Sequence, residues 1–312
     1  MPEMIVLGRT DLKVSRICFG CWQMARNRFW PTVDENAMKA AVRRALEIGV
    51  NFFDTADAYG DGFAEELLGR FLKGVPRDRF VLSDKVYHHW LGPPGSPRVG
   101  DLSYDYIVWE CEQSLRRLGL EHIDLYLAHT FDVMTHPEET TRAFEKLKKD
   151  GKIRFYGASN FNVEQLRAFR AFGSYDALQP RYNLLDREAE NDLFPYCMAN
   201  RIGVMTYSSL QYGLLTGKFK GDETFDDVRA ATPAFQGEAF RKNVEKVDQL
   251  RPIAQRLGKT VTQLALRAIL EHPAVGCAIV GIKSPGHIEE AAGAMDWRLS
   301  RENYYAIRAT LA

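Results

Sequence analysis

The chain has 312 residues, with 41 Lys and Arg balanced by 41 Asp and Glu, so its formal net charge is zero. No block of like charge is long enough to hold a nucleic-acid backbone or a membrane surface, which argues against both as partners. The first fifteen residues, MPEMIVLGRTDLKVS, lack the pattern of a secretory leader and no apolar run approaches about 18 residues, so a cytoplasmic protein is expected.

In chain order, MIVLG and KVSR around Thr10 and Asp11 predict a hairpin that precedes a first strand at Ile17 to Gly20. Cys18 and Cys21 have CxxC spacing, but they lie in a strand running into a Gly turn rather than at a helix start, so redox or metal use is not favoured. Five cysteines are an odd number in a chain with a large core, which argues against a disulfide framework. Further strands are predicted at Asn51 to Asp54, Phe80 to Lys85, Ile123 to His129, Ile153 to Ala158, Asp176 to Gln179, Gly203 to Tyr207 and Cys277 to Val280. Helical periodicity falls between them: Asp34 to Ile48 with Ala37, Ala41, Ala45 and Ile48 on one face, and Tyr104 to Leu118 with Ile107, Cys111, Leu115 and Leu118. Other helices are expected from about Pro137, Val163, Glu188 and Phe240. Eight strands alternating with helices predict an α/β fold, a (β/α)8 TIM barrel spanning residues 1–312 as one domain, with its functional groups at the C-terminal ends of the strands. Two long connections, the Pro/Gly-rich segment after Trp90 and the stretch from Gln211 to about Gly237, would sit on that C-terminal face.

Three of the predicted strands deliver ionisable groups to their ends. NFFDTADAYG brings Asp54 and, in the turn after it, Tyr59; FVLSDK ends on Lys85 and IDLYLAH on His129. Strand parity puts Lys85 with Val81 and Ser83, and His129 with Leu125 and Leu127, so both can face the barrel axis, whereas Asp84 turns outward toward the helices and an ion pair there. Chemically, a buried lysine held as the ammonium by Asp54 would favour the phenolate of Tyr59 and so acidify the phenol, while His129 orients a carbonyl oxygen. Taken singly, Tyr59 reads as a turn tyrosine and His129 as a strand-end histidine; their combination carries the reading. His88 and His89 read as loop residues rather than metal ligands, and no metal site is expected.

NFFDTADAYG, the strand ending in Lys85, IDLYLAHTFD, GASN at 157–160, LQPRYN at 178–183 and YSSLQYGLLTGK at 207–218 resemble, in order, the signature segments of the aldo-keto reductases, over nearly the whole chain. The resemblance implies a catalytic tetrad of Asp54, Tyr59, Lys85 and His129. It also implies that Ser159, Asn160 and Gln179 hold a nicotinamide carboxamide, that Tyr207 stacks on the ring, and that Ser208, Leu210, Gly213 and Lys218 contact the rest of the cofactor. Asp84 departs from the family, which usually has a small hydroxyl residue before the lysine. No GxGxxG follows the first strand, so a Rossmann site is not supported. In AIVGIKSPGH, Ser284 and Pro285 start a helix whose free N–H groups, with Lys283 and His287, make an anion site. The family places the adenosine phosphate here, with Gly281 and Glu290 also on the cofactor. Lys283 favours NADP(H), with NAD(H) as the alternative.

The sequence therefore predicts an NADP-dependent aldo-keto reductase that transfers hydride reversibly between cofactor and a small aldehyde, ketone or sugar. Trp22, Trp30 and Trp90 would wall the substrate pocket. Homo-oligomerisation is left open. Two other classes fit less well: a cofactor-binding regulatory subunit with slow turnover, and a metal-dependent barrel hydrolase built from Asp54, His88, His89 and His129.

Overall fold

Eight strands close into a parallel barrel in which each pairs with the next: β1 (Ile17–Gly20), β2 (Phe52–Asp54), β3 (Val81–Val86), β4 (Ile123–Ala128), β5 (Ile153–Ser159), β6 (Ala177–Gln179), β7 (Gly203–Thr206) and β8 (Val275–Gly281), with β8 returning to β1. This is the (β/α)8 architecture expected, with strand limits within two residues of those read from the sequence. The coordinates are a computed structural model that describes residues 3–92 and 96–311. Pro93, Pro94 and Gly95 of the Pro/Gly-rich connection, and Met1 and Pro2 at the start of the chain, lie outside the described residues.

Alternation along each strand separates two cores. Cys18, Phe52, Val81, Leu125, Leu127, Met205 and Cys277 fill the barrel, while Phe19, Phe53, Leu82 and Tyr126 pack outward against the helices. Burying each large apolar side chain contributes about 1.5–3 kcal/mol, which makes a one-residue slip in any strand prohibitive. Met4–Val6 and Lys13–Ser15 form the predicted hairpin. Its Leu7, Leu12 and Val14 pack on Cys18 and Phe52 inside the barrel, closing the mouth opposite the strand ends. Glu3 fixes the hairpin by accepting from Arg16 at 3.0 Å and from the buried Arg267 at 2.7 Å.

The first helix, Glu35–Glu47, starts where Asp34 accepts a capping bond from the Ala37 amide, but its buried stripe is Met38, Ala41, Val42 and Ala45, one residue from the face predicted. Tyr104–Leu118 buries Ile107, Cys111, Leu115 and Leu118 as expected. The helix expected from Glu188 is instead a 3-10 turn, Glu188–Glu190, closed by short-range bonds, with the helix proper at Leu193–Ala199. Phe63–Leu72, Val261–Leu270 and Arg301–Thr310 are helices that periodicity did not mark.

The described parts of both long connections carry regular structure. His88–Trp90 pairs antiparallel with Arg98–Gly100, so the two histidines stand on a hairpin. The stretch from Gln211 folds through three 3-10 turns and builds its own core from Phe219, Phe225, Phe235 and Phe240, whose rings lie 5.3–5.8 Å apart. Among the described residues no helix is long and apolar enough to cross a membrane.

Candidate active site

At the C-terminal end of the barrel, Asp54, Lys85 and Tyr59 meet. Lys85 is fully buried; its Nζ donates to Asp54 Oδ1 at 2.7 Å and to the Thr55 carbonyl at 2.6 Å, and it lies 3.3 Å from the Tyr59 hydroxyl. The second oxygen of Asp54 accepts from Gln179 Nε2 at 2.8 Å. Both oxygens of this buried carboxyl group are thus engaged, which is what a buried ion pair with the ammonium requires. Burial alone would lower the Lys85 pKa, but Asp54 and Tyr59 outweigh it and hold the amine as the cation.

Tyr59 is aimed by its turn. The Gly60 φ of +69° lets the chain reverse against Ala25, where a Cβ would stand 1.8 Å from the Ala25 carbonyl oxygen. The Tyr59 carbonyl then accepts from the Ala64 amide at 3.0 Å. The expected acidification of the phenol is only half met. Lys85 does pull the pKa down, but burial dominates, Asp54 adds to it, and the phenol is pushed up to about 12.

His129 follows β4, its amide bonded to the Val86 carbonyl at 3.0 Å, and its ring meets Tyr59 edge-on with centroids 6.1 Å apart. Burial first, then Lys85 and His88, hold its pKa well below the usual imidazole value, so the ring is neutral. Among the described residues its Nδ1 is buried without a partner.

One cavity of about 760 Å³ runs from this group to the helix after β8. Its walls include Asp54, Tyr59 and His129, together with Ser159, Asn160, Gln179, Tyr207, Ser208, Leu210, Gly213, Lys218, Gly281, Lys283, His287 and Glu290. Asn160 Nδ2 donates to the His129 carbonyl at 2.9 Å, the Tyr207 hydroxyl donates to Asn160 Oδ1 at 2.7 Å, and Ser159 Oγ donates to the Gln179 carbonyl at 2.9 Å. The far end is cationic. Lys218 and Lys283 have pKa values lowered by burial and by Arg229, and His287 by burial and by both lysines, with Asp227 the facing carboxylate. Cations depressed by one another in this way favour an anion between them. The helix Pro285–Ala292 begins beside them, and Ser284, at its N-cap position, makes no side-chain capping bond.

Trp22 and Trp30 line the cavity, edge to face at 5.4 Å, and Lys283 Nζ sits 4.2 Å over the Trp30 ring. Trp90 does not line it: pairing sets Trp90 opposite Arg98, and its ring lies 4.9 Å under that guanidinium, which does reach the wall. Asp84 turns outward as parity requires, but it finds no cation among the described residues. It faces Glu65, and burial followed by that neighbour pushes its pKa well above the usual carboxylate range, while it accepts from the Lys85 amide at 2.8 Å. The ion pair expected there is taken by Glu65 and Glu110, which both engage Arg117. The four residues considered for a metal do not converge either. His89 bonds Asp101 at 2.8 Å and stacks on Tyr106, and among the described residues no group of three or more His, Cys, Asp or Glu is arranged to hold an ion. All five cysteines are buried and free, and burial pushes the Cys18 and Cys21 thiols up, the reverse of a redox pair. Arg98, Arg229, Gln23 and Tyr212 also line the cavity. Nothing local in the sequence marks them, since each is brought there by a long connection or a turn.

The fold is a (β/α)8 barrel whose ionisable groups gather at the C-terminal ends of its strands. The chain belongs to the Aldo/keto reductase family, whose sequence profile matches residues 16–312; members are oxidoreductases that act on carbonyls with nicotinamide cofactors. It is similar to aldo-keto reductase YhdN of Bacillus subtilis, 37% identical over 99% of this chain and 93% of that protein. It is also similar to the NADH-specific methylglyoxal reductase of Escherichia coli, 34% identical over 96% and 95% of the two chains. The solved glycerol dehydrogenase AKR11B4 of Gluconobacter oxydans superposes with a TM-score of 0.92 at 34% identity, over 99% of this chain and 95% of that one.

Proposed function

We propose that the chain is an NADP-linked carbonyl reductase of the cytoplasm, acting on small aldehydes, ketones or sugars. The observation that carries this reading is the buried ammonium of Lys85 held between Asp54 and Tyr59 at one end of a cavity whose other end is lined by Lys218, Arg229, Lys283 and His287. The nicotinamide, when bound, supplies or takes up the hydride. Asn160, Gln179 and Ser159 would hold its carboxamide and Tyr207 its ring face, while the cationic end would hold the phosphates, a set of donors and cations that fits a phosphorylated dinucleotide.

The chain's own groups handle the proton. Tyr59 is protonated at neutral pH and donates its proton to the carbonyl oxygen as negative charge builds there. Lys85 stabilises the phenolate that results, at a distance of 3.3 Å. Asp54 keeps Lys85 charged, and neutral His129 presents a hydrogen bond to the same oxygen without adding charge. In the oxidative direction the same residues run in reverse, with Tyr59 as base.

Titrating the protein with NADPH and NADH while following tryptophan emission tests the reading, because Trp22 and Trp30 lie on the cavity wall. Tighter binding of NADPH, with turnover of a simple aldehyde, is the expected result. Binding of neither nucleotide, oxidised or reduced, would overturn it. NADH preferred over NADPH would leave the reductase assignment in place and reject the phosphate role of Lys283. Tight binding without turnover would point to a regulatory subunit.

A further inference from the structure

Lys218, Arg229 and Lys283 line the nucleotide end of the cavity, but a fourth cation, Arg98, lines it on the other side of the catalytic group. Arg98 belongs to the hairpin that leaves β3 just beyond Lys85. Its guanidinium rests on the Trp90 ring and pairs through Nη2 with Asp61, from the turn that follows Tyr59. The pair is partly exposed, with 34% of the Arg98 side chain and 24% of Asp61 open, so it contributes little to stability. A guanidinium has five N–H donors, and among the described residues Asp61 is the one side chain that accepts from it. The remaining donors match the two-pronged geometry of a carboxylate or phosphate.

His88 lies between Arg98 and the reacting position. Its ring meets that of His129 edge-on at 5.3 Å, and its carbonyl is fixed by the Tyr106 hydroxyl at 2.7 Å. Among the described residues no protein group bonds its ring nitrogens, and the residue lines the cavity. Burial, then Arg98, hold its pKa down at about 4, so it offers a neutral donor and acceptor. From the proton donor outward the wall thus reads Tyr59 and His129, then a neutral imidazole, then a cation.

Resting on the reductase reading, we propose that Arg98 selects carbonyl substrates that carry an anionic group, a carboxylate or a phosphate, a few atoms from the carbonyl, with His88 binding a hydroxyl or keto oxygen in between. Asp61 competes for the same guanidinium and moderates the preference. The fixed charge lies beyond the proton donor, so it acts on binding and enters through KM rather than through kcat.

The test compares matched substrates with whichever nucleotide binds: butanal against succinic semialdehyde for the carboxylate, and glyceraldehyde against glyceraldehyde 3-phosphate for the phosphate. In the native enzyme the charged member of at least one pair should have a kcat/KM roughly tenfold higher, and the pair that shows it identifies the anion. The ratio should fall toward one in Arg98→Gln, stand between in Arg98→Lys, rise in Asp61→Asn, and shrink as salt is raised. A native ratio at or below one in both pairs, or a ratio that Arg98→Gln leaves unchanged, overturns the inference while turnover of the neutral aldehydes keeps the reductase reading. An enzyme that reduces none of the four with either nucleotide overturns both.

Discussion

Lys85→Met, alone and together with Asp54→Asn, separates what the buried ion pair does for the fold from what it does for the reaction. In the single variant Asp54, 2% exposed, loses its cation and keeps only the bond from Gln179 at 2.8 Å. Breaking a buried pair by removing one partner costs about 3–5 kcal/mol, and the surviving amide bond places this case near the lower end, at about 3 kcal/mol. A chain of 312 residues has an unfolding entropy of about 0.65 kcal/mol/K, so the melting temperature should fall by about 5 °C. The double variant replaces charge and counter-charge together and should recover most of that loss. Its activity should not recover, because Tyr59 would lose the ammonium that favours its phenolate; both variants should lose at least about 10²-fold in kcat. Thermal melts and steady-state aldehyde reduction give both quantities. Native melting in Lys85→Met would show that the pair is not buried as described. A double variant regaining activity with stability would show that Lys85 serves the fold alone.

Tyr59→Phe should lower kcat by about 10²–10⁴-fold while nucleotide affinity is kept; near-native turnover would remove Tyr59 from the mechanism. Lys283→Ala should weaken NADPH binding about tenfold or more while changing NADH little, read by fluorescence titration. His287 begins with its pKa held low by burial, Lys218 and Lys283, and an adjacent phosphate would raise it, so NADPH should bind more tightly as pH falls through the histidine range. Affinity that rises with pH there would argue against an anion at this end. Gly60→Ala forces a Cβ onto the Ala25 carbonyl at a φ of +69° and should destabilise by at least about 2 kcal/mol, with activity lost as Tyr59 is displaced. An unperturbed melt would contradict the turn geometry.

Most of the barrel was legible because its strands are short apolar runs bounded by turn residues, and parity along them directs Lys85 inward and Asp84 outward. Val261–Leu270 escaped because nine of its ten residues are buried, leaving no polar face for a 3.6-residue period to contrast against. The site divides in the same way. Residues at strand ends were legible, since the strand fixes their direction. Arg98 and Arg229 were not, because they arrive through a hairpin and through a connection with left-handed residues at Gln211, Tyr212 and Gly213, which depend on packing rather than local pattern. Trp90 was placed on the cavity wall for its type, but cross-strand pairing turns it under Arg98.

Asp84 shows how far direction falls short of partnership. Parity points it outward, yet the acidic neighbours there are Glu65 and Asp57, and the nearby Arg117 is already engaged by Glu65 and Glu110. Burial, then Glu65, raise its pKa well above the usual carboxylate range, so the folded protein holds a proton there that the unfolded chain releases. A raised carboxyl pKa makes stability full below the ordinary carboxylate value and progressively lost as pH climbs through the raised one. Asp84→Asn removes that dependence while keeping an acceptor for the Lys85 amide, so the variant should gain on the native protein in melting temperature as pH rises from 5 to 8. If the two proteins keep a constant difference across that range, Asp84 is ionised in the fold and a cation must lie nearer to it than Glu65 does. Because the Asp84 carboxyl binds the backbone of Lys85 rather than its ammonium, the substitution should change stability without moving the pH profile of the reaction.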